Sequence, residues 1–355
     1  MSAASKAKLA AAFLAVVVML SLPATASATL AFDTNPFVPE VWVSPNEDGS
    51  DAKPIGSGLV IGVSPNGEYV AYTHGEGFGG RVLTLYEVST GERRTVFPKM
   101  KEDSTFAWSP DSTMLAAVQG RRGKKTLYVA GVDGGKTRIA SGHFDGVSFS
   151  PDSTEIVFAL AASSVEASFK VPRSNLVRAP VDGGPTTALT HDDLSSSPLW
   201  GPRNRIAFVR QVDLKRQSRR GSKNDLFLMD PDGRRVKRLT NTKVDGNSNG
   251  LFPAVWSPEG DLLLANFRGF YENFAVAVDT LHGGESVLTP RNEKQSFAAD
   301  AIAADGRTVL GHIGGLEFGL AYRTIAAAPI TGGTPIPLKS GAYSPSWGGL
   351  ARPTA

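Results

Sequence analysis

Short apolar runs separated by turn residues recur along almost the whole chain, and they predict a protein built from β-strands. In the commonest pattern an aromatic or aliphatic residue precedes Ser-Pro-Asp-Ser/Gly or a variant, and an apolar triplet follows, as at Trp108–Ala117. Proline fixes φ, while Asp and Gly favour tight turns, so each copy predicts two strands joined by a hairpin. The copies begin at Val63, Trp108, Phe149, Trp200, Trp256, Ile302 and, in truncated form, Trp347.

A second pattern lies between the copies of the first. It consists of a strand-like run, a glycine turn and another short run, as at Leu226–Thr240. Each repeat therefore predicts four strands, named a, b, c and d in chain order, with tight turns joining a to b and c to d. No stretch keeps a 3.6-residue period, so we expect helices to be minor. The turn glycines are Gly49, Gly91, Gly134, Gly183, Gly233, Gly283 and Gly332.

Four-stranded units that recur about every 40 to 50 residues are typical of a β-propeller, an all-β fold. The segment around Trp42 predicts a c–d hairpin without an a–b hairpin, and the segment around Trp347 predicts a strand a without a c–d hairpin. Joined, the two chain ends would complete one blade. We therefore expect seven four-stranded blades, with six as the alternative, in a ring closed by strands from both termini, which leaves no exposed sheet edge at the junction.

The N-terminal segment reads as a secretory signal peptide, residues 1–28. Lys6 and Lys8 precede the apolar run Leu9–Leu22, and small residues allow cleavage near Ala28. A membrane anchor is the alternative, but the run is shorter than the ~20 residues of a spanning helix. We expect Sec-type export, no membrane span in the mature chain and a secreted or periplasmic location. Residues 29–37 are expected to form an extended leader, and 38–355 the propeller domain.

Composition narrows the function classes. The 355 residues include 37 Lys and Arg against 34 Asp and Glu, and no Cys. The even charge balance argues against a nucleic-acid binder. The lack of Cys excludes disulfides, thiolate metal sites and cysteine nucleophiles. We expect a monomer without a cofactor.

The repeats resemble a known family. Trp-Ser-Pro-Asp with its apolar triplet, and the Asp-Gly-Gly hairpin at Asp133–Gly135, are similar to the WD40-like (PD40) repeat of the TolB propeller family. The resemblance covers about 300 residues and implies a TolB-like propeller. TolB itself carries an α/β domain ahead of the propeller, and the segment from Thr29 to Val63 is too short to hold one. Similar blades occur in prolyl-oligopeptidase-like enzymes and form the whole of oligogalacturonate lyase.

Propeller geometry divides the connections between two faces. We call the side of the b–c and d–a connections the loop face, and the side of the a–b and c–d turns the turn face. Three successive b–c loops are basic, so the loop face is predicted to attract an anionic partner; the alternative is a solvated loop that serves solubility. The cations are Arg121, Arg122, Lys124, Lys125, Lys170, Arg173, Lys215, Arg216, Arg219, Arg220 and Lys223.

Four histidines are predicted at the same face. His74 and His312 follow b strands, while His143 and His191 lie in expected d–a loops, and we add the latter two to the ligand-binding candidates. Imidazole and nearby carboxylates can hold a divalent metal. No two of the four have the close spacing of a metal-binding motif, so we expect no metal site and name the four only as candidates.

These observations favour an exported, non-catalytic binding module for an envelope or extracellular protein or an anionic polymer. The alternative is a carbohydrate-active enzyme, such as a polyuronide lyase or hydrolase, that uses the central pocket. A deep axial pocket lined by convergent His, Arg and acidic groups would favour the enzyme.

Overall fold

A computed structural model describes most of the chain outside the signal segment. Within this part the only helix is a 3-10 turn at Pro202–Asn204, and the other elements are strands, which confirms the predicted all-β class. No described helix is long and apolar enough to cross a membrane. The signal peptide lies outside the described residues apart from residue 28. The described ranges are 28–34, 38–75, 81–100, 105–121, 124–161, 174–212, 223–242, 250–268, 273–289, 296–317 and 320–350.

The strands are numbered in the order in which they follow one another along the chain. In chain order they are β1 (Thr29–Thr34), β2 (Glu40–Ser44), β3 (Lys53–Ser57), β4 (Leu59–Val63), β5 (Tyr69–His74), β6 (Arg81–Glu87), β7 (Arg93–Met100), β8 (Phe106–Trp108), β9 (Met114–Arg121), β10 (Lys124–Gly131), β11 (Gly134–Phe149), β12 (Glu155–Ala161), β13 (Ser174–Pro180) and β14 (Thr187–Ala188). The remainder are β15 (Ser195–Gly201), β16 (Arg205–Gln211), β17 (Asn224–Met229), β18 (Lys237–Arg238), β19 (Gly250–Trp256), β20 (Leu262–Arg268), β21 (Asn273–Asp279), β22 (Glu285–Val287), β23 (Ser296–Ile302), β24 (Thr308–Glu317), β25 (Leu320–Pro329), β26 (Ile336–Ser340) and β27 (Tyr343–Gly348).

Antiparallel pairing groups these strands into units of four, each in the predicted a, b, c, d order. Unit 1 is β27–β1–β2–β3, unit 2 is β4–β5–β6–β7, unit 5 is β15–β16–β17–β18, unit 6 is β19–β20–β21–β22 and unit 7 is β23–β24–β25–β26. Units 3 and 4 share the long strand β11. Its first half pairs with β10 and completes β8–β9–β10, and its second half, from His143, pairs with β12 and begins β12–β13–β14. The loop predicted around His143 is therefore wrong, because one continuous strand serves as d of one unit and a of the next.

Unit 1 joins the two ends of the chain. Strand β27 pairs with β1, with Leu30 opposite Trp347, and β1 pairs with β2. The prediction of an extended leader is wrong for residues 29–34, which form strand b of this unit. The reason is burial on both sides of β1: Leu30 and Phe32 pack in the core next to unit 7, and Ala31 packs in the core next to unit 2. Strand β1 is thus part of the sheet of unit 1, although it lies upstream of the boundary predicted at residue 38.

The core is divided among the spaces between units. Among the described residues, apolar clusters lie between units 1 and 2, 2 and 3, 3 and 4, 4 and 5, 5 and 6, and 6 and 7. A further cluster joins units 7 and 1, where Leu310 and Ile325 pack with Phe32 and Trp347. This order of packing agrees with a closed ring of seven blades; the blade count and the closure of the ring stay predictions.

The recurrent Ser-Pro-Asp-Ser motif builds the a–b turns through its side chains. At the turn into β9, Ser109 Oγ donates to Asp111 Oδ1 at 2.6 Å and accepts the Met114 N–H at 2.9 Å. Asp111 Oδ1 also accepts the Thr113 N–H at 3.1 Å. The Asp111 N–H in turn donates to Ser153 Oγ of the next turn at 3.2 Å, so the motif also links neighbouring units. The turn-face carboxylates are therefore structural parts of the hairpins.

Candidate functional site at the loop face

The first predicted basic run lies where strand b of unit 3 ends and strand c begins. Arg121 ends β9 and Lys124 begins β10, and the two are paired across the antiparallel ladder. Lys125 follows and is half-buried. The position of the remaining basic candidates stays a prediction. Arg122, Lys170, Arg173, Lys215, Arg216, Arg219 and Arg220 lie outside the described residues.

The structure adds cations at the corresponding position of other units. Arg81 is the first residue of strand c in unit 2, and Arg268 is the exposed last residue of strand b in unit 6. Lys223, one of the cations predicted from the sequence, stands just before strand c of unit 5. Sequence reasoning missed Arg81 and Arg268 because each is an isolated cation rather than part of a charge run. Together with Lys125, these residues place a cation at the loop-face end of four of the units.

Several carboxylates on this face have cationic partners of their own. Asp225 is fully buried and accepts hydrogen bonds from the Arg238 guanidinium and from the Thr242 N–H, the latter at 3.1 Å. Asp192 Oδ2 lies 2.7 Å from Arg210 Nε. Asp225 Oδ2 also lies 3.9 Å from Lys223 Nζ, so this carboxylate offsets part of the charge of one strand-end cation, whereas Asp192 is paired with Arg210.

His74 and His312 both have side-chain partners within their own units. His74 ends β5, with Nε2 at 2.9 Å from Thr84 Oγ1. His312 lies inside β24 rather than after it, because the β24–β25 hairpin is longer than predicted, and its Nδ1 is 2.6 Å from Asp300 Oδ2. The placement of His312 after strand b was therefore wrong.

The other two histidines differ in exposure. His143 is half-buried in β11, and His191 is exposed in the connection from β14 to β15. The described part of the chain contains no group of three or more His, Asp or Glu side chains that could hold a metal ion. The role of His143 and His191 in ligand binding stays a prediction.

The innermost strand of six units carries a β-bulge, which sequence reasoning did not foresee. Register shifts interrupt β4, β11, β15, β19, β23 and β27 where they pair with strand b. Bulges redirect side chains and are frequent beside functional sites. The unpaired positions are Ile61, Asp145 with Gly146, Ser197 with Pro198, Ala254, Asp300, and Ser344 with Pro345.

Of two carboxylates at or beside these bulges, Asp33 is buried and Asp145 is partly buried. Burial raises the pKa of Asp145, and the charge of Arg268 acts in the opposite direction. Asp33 is 2% exposed and accepts the Val60 N–H at 3.1 Å. Burial raises its pKa too, although the Val60 hydrogen bond, the Ser344 hydroxyl and the Arg323 charge oppose the rise. The inner strands thus present acidic groups near cations.

A groove of about 760 Å³ opens between units 1 and 2. One wall is β3 with Val38 and Pro39, and the other is formed by β5, β6 and β7. Arg81 and Arg93 are its charged lining residues, and no carboxylate occurs among the described lining residues. The groove reaches the loop face at the C-terminal end of β5.

Comparison with known proteins identifies the fold. No protein-family model and no curated protein matches the chain. The β-propeller domain of the trilobed protease from Pyrococcus furiosus is 12% identical over 89% of this chain and 93% of that one, with a TM-score of 0.64. TolB from Acinetobacter baumannii is 15% identical over 92% and 68% of the two chains, with a TM-score of 0.53. Oligogalacturonate lyase from Vibrio parahaemolyticus is 12% identical over 85% and 84%, with a TM-score of 0.54.

Identities this low establish architecture and not activity. They confirm the predicted TolB-like β-propeller fold, while membership of the PD40 repeat family stays a prediction. The chain is a β-propeller.

Proposed function

We propose that this chain is an exported, monomeric, non-catalytic β-propeller that binds an anionic partner through its loop face. The partner is an acidic protein surface or an anionic polymer of the cell envelope or the extracellular space. The proposal includes a seven-bladed ring closed by β1 and β27, removal of the signal peptide near Ala28, and no cofactor.

The observation that carries the proposal is the repeated cation at the loop-face end of the units. Arg81, Lys125, Lys223 and Arg268 come from four different units, so their charges are distributed around the face rather than concentrated in one loop. Distributed positive charge attracts a large anionic surface at long range and accelerates its association. The basic runs of the b–c loops, Arg121–Lys125 and Lys215–Arg220, would add to this field.

The test measures retention of the mature chain on immobilised polyglutamate and polygalacturonate across a series of salt concentrations. The variant Arg216→Gln/Arg219→Gln/Arg220→Gln/Arg268→Gln should elute at lower salt than the wild type, because it has lost cations from the loop face. The matched control, Arg234→Gln/Arg307→Gln, removes exposed cations from the turn face and should elute with the wild type. Equal retention of all three proteins would contradict the proposal.

A second candidate function follows from the Asp300–His312 pair. A carboxylate that orients an imidazole at 2.6 Å is a common arrangement for a general base. Since Asp300 lies in the bulge of an inner strand, the pair suits an enzyme acting on an acidic polysaccharide in the central pocket. New ultraviolet absorbance or new reducing ends from polygalacturonate, lost in His312→Ala, would favour a lyase or a hydrolase respectively. An unchanged polymer would favour the binding module.

A further inference from the structure

The groove between units 1 and 2 depends on glycine at one particular position. Gly58 connects β3 to β4 with φ +148°, and a Cβ there would lie 2.3 Å from the Thr73 carbonyl oxygen. Its N–H donates to the Pro39 carbonyl at 2.8 Å. The chain therefore passes directly over β5 while remaining tied to the wall of unit 1, and this close crossing forms the groove.

One wall of the groove carries a row of hydroxyl groups. Tyr72 of β5 is paired with Thr84 of β6, and Thr84 is paired with Thr95 of β7, so the three residues run across the sheet of unit 2. All three line the groove, as does His74, whose ring contacts Thr84. Thr73 also lines it, and its buried hydroxyl has no hydrogen-bond partner among the described residues.

Arg93 joins the two walls and is held in place. Its Nη2 donates to the Ile55 carbonyl of unit 1 at 2.6 Å, and its guanidinium lies 5.2 Å from the centre of the Tyr86 ring. Nη1 donates to the Gly91 carbonyl at 3.3 Å. A guanidinium has five N–H groups, so these contacts fix its plane and leave donors for a ligand. Arg81 supplies the second positive charge of the lining.

These features define the chemistry of the ligand. Two guanidinium groups without a carboxylate among the described lining residues select an anion, and their planar donor sets match a carboxylate. Hydroxyl groups of protein and sugar can each donate and accept, so the row of Tyr72, Thr84 and Thr95 suits a polyol. Apolar atoms of Ile55 and Leu59 can contact the C–H groups of a sugar ring. The volume lies within the usual range for small-molecule sites.

We infer that this groove binds a small acidic saccharide, one or two sugar rings carrying a carboxylate. The site lies at the edge of the loop face and away from the propeller axis. It deepens the proposed function and rests on it only for the negative charge of the ligand.

The experiment is a calorimetric titration of the folded mature chain with a diuronic acid, with its neutral disaccharide counterpart and with inorganic phosphate as separate arms. We expect the diuronic acid to bind, the neutral sugar not to bind detectably, and phosphate to bind more weakly. Arg81→Gln and Thr95→Val should each weaken binding of the diuronic acid, Arg81→Gln by about tenfold or more. Arg307→Gln, at the turn face, is the matched control and should bind like the wild type.

Equal binding of the neutral sugar would overturn the assigned charge selection, and equal binding of phosphate would reduce the groove to a general anion site. Unchanged affinity in both Arg81→Gln and Thr95→Val would place the ligand elsewhere. Thermal unfolding of each variant separates loss of the site from loss of the fold. Polymer retention measured in parallel distinguishes the two proposals, because Arg216→Gln/Arg219→Gln/Arg220→Gln/Arg268→Gln leaves the groove intact.

Discussion

Replacing Phe32 by Ala tests whether β1 is an integral strand of the propeller. Phe32 has no exposed surface and packs with Leu310, Ile325 and Trp347, so it connects unit 1 to unit 7. An extended leader would leave the same ring in solvent. The two arrangements therefore differ strongly in the stability that this one side chain contributes.

The expected loss follows from burial. Truncating a buried Phe to Ala in a packed core costs about 3–5 kcal/mol, through lost transfer free energy and the cavity left behind. The Lys339 ammonium lies 5.4 Å from the centre of the Phe32 ring, and this cation–π contact contributes roughly 0.5–1 kcal/mol that Ala would also lose. We therefore expect Phe32→Ala to lower the free energy of unfolding by an amount in the upper part of the range of about 3–5 kcal/mol. The same substitution on an exposed leader would change stability by about 0.5 kcal/mol or less.

The assay is guanidinium-induced unfolding of the full mature chain, followed by tryptophan fluorescence, since Trp42 and Trp347 both belong to the affected core. Val38→Ala is the control, because Val38 is 67% exposed and lies close by in the chain. Phe32→Ala should shift the midpoint strongly, and Val38→Ala should leave it almost unchanged. A loss below about 1 kcal/mol in Phe32→Ala would refute the burial of β1 and, with it, the junction of the chain ends.

Two further predictions concern single buried or constrained positions. Burial raises the pKa of Asp33, so the stabilisation that Asp33 contributes is fully present below its pKa in the unfolded chain, near 4, and is lost as pH rises through its pKa in the folded chain. Asp33→Asn should abolish this decline in the free energy of unfolding. Urea-unfolding free energies of the wild type and of Asp33→Asn that change in parallel from pH 4 to 7 would contradict the prediction. Gly146→Ala should destabilise by at least about 1 kcal/mol more than Gly134→Ala, because both have positive φ but only at Gly146 would the new Cβ meet a neighbour, Ser197 Cα at 2.9 Å. Equal shifts in melting temperature would contradict the clash.

The repeat could be predicted because its chemistry is local. Ser109 and Asp111 form their turn with neighbours two to five residues away in sequence, so the local sequence alone is enough to predict the turn. Strand β1 was missed for the opposite reason. No turn motif flanks Leu30 and Phe32 to mark a strand there. The strand that pairs with them, around Trp347, comes from the other end of the chain. Such a partner is visible only once the units are arranged in space.

In the candidate site, too, local features could be predicted from the sequence and contacts between distant segments could not. The basic runs were visible as runs, whereas the groove brings Arg93 of β7 against Ile55 of β3, a contact between different units. The bulges of the inner strands depend on one-residue register shifts, which no turn motif marks. Asp300 and His312 therefore looked unrelated in sequence, although the β23–β24 pairing holds them together.

The turn face carries carboxylates that the repeat requires, whereas the strand ends at the loop face carry cations, and this difference has a physical origin. Hydrogen bonds from Ser150 and Thr154 hold the pKa of Asp152 below its usual value, so this turn carboxylate is charged because the hairpin uses it as an acceptor. Its negative charge is a consequence of turn chemistry that the repeat imposes on many units. Arg81 and Arg268 lie at b–c connections, where no common turn dictates the residue type; the Arg268 guanidinium lies 4.6 Å from the centre of the Phe252 ring, and its charge acts on the pKa of Asp145. The proposed binding role is therefore tied to cations at positions where the repeated turn chemistry does not dictate the residue type, and the comparison with the turn-face variant Arg234→Gln/Arg307→Gln tests that assignment.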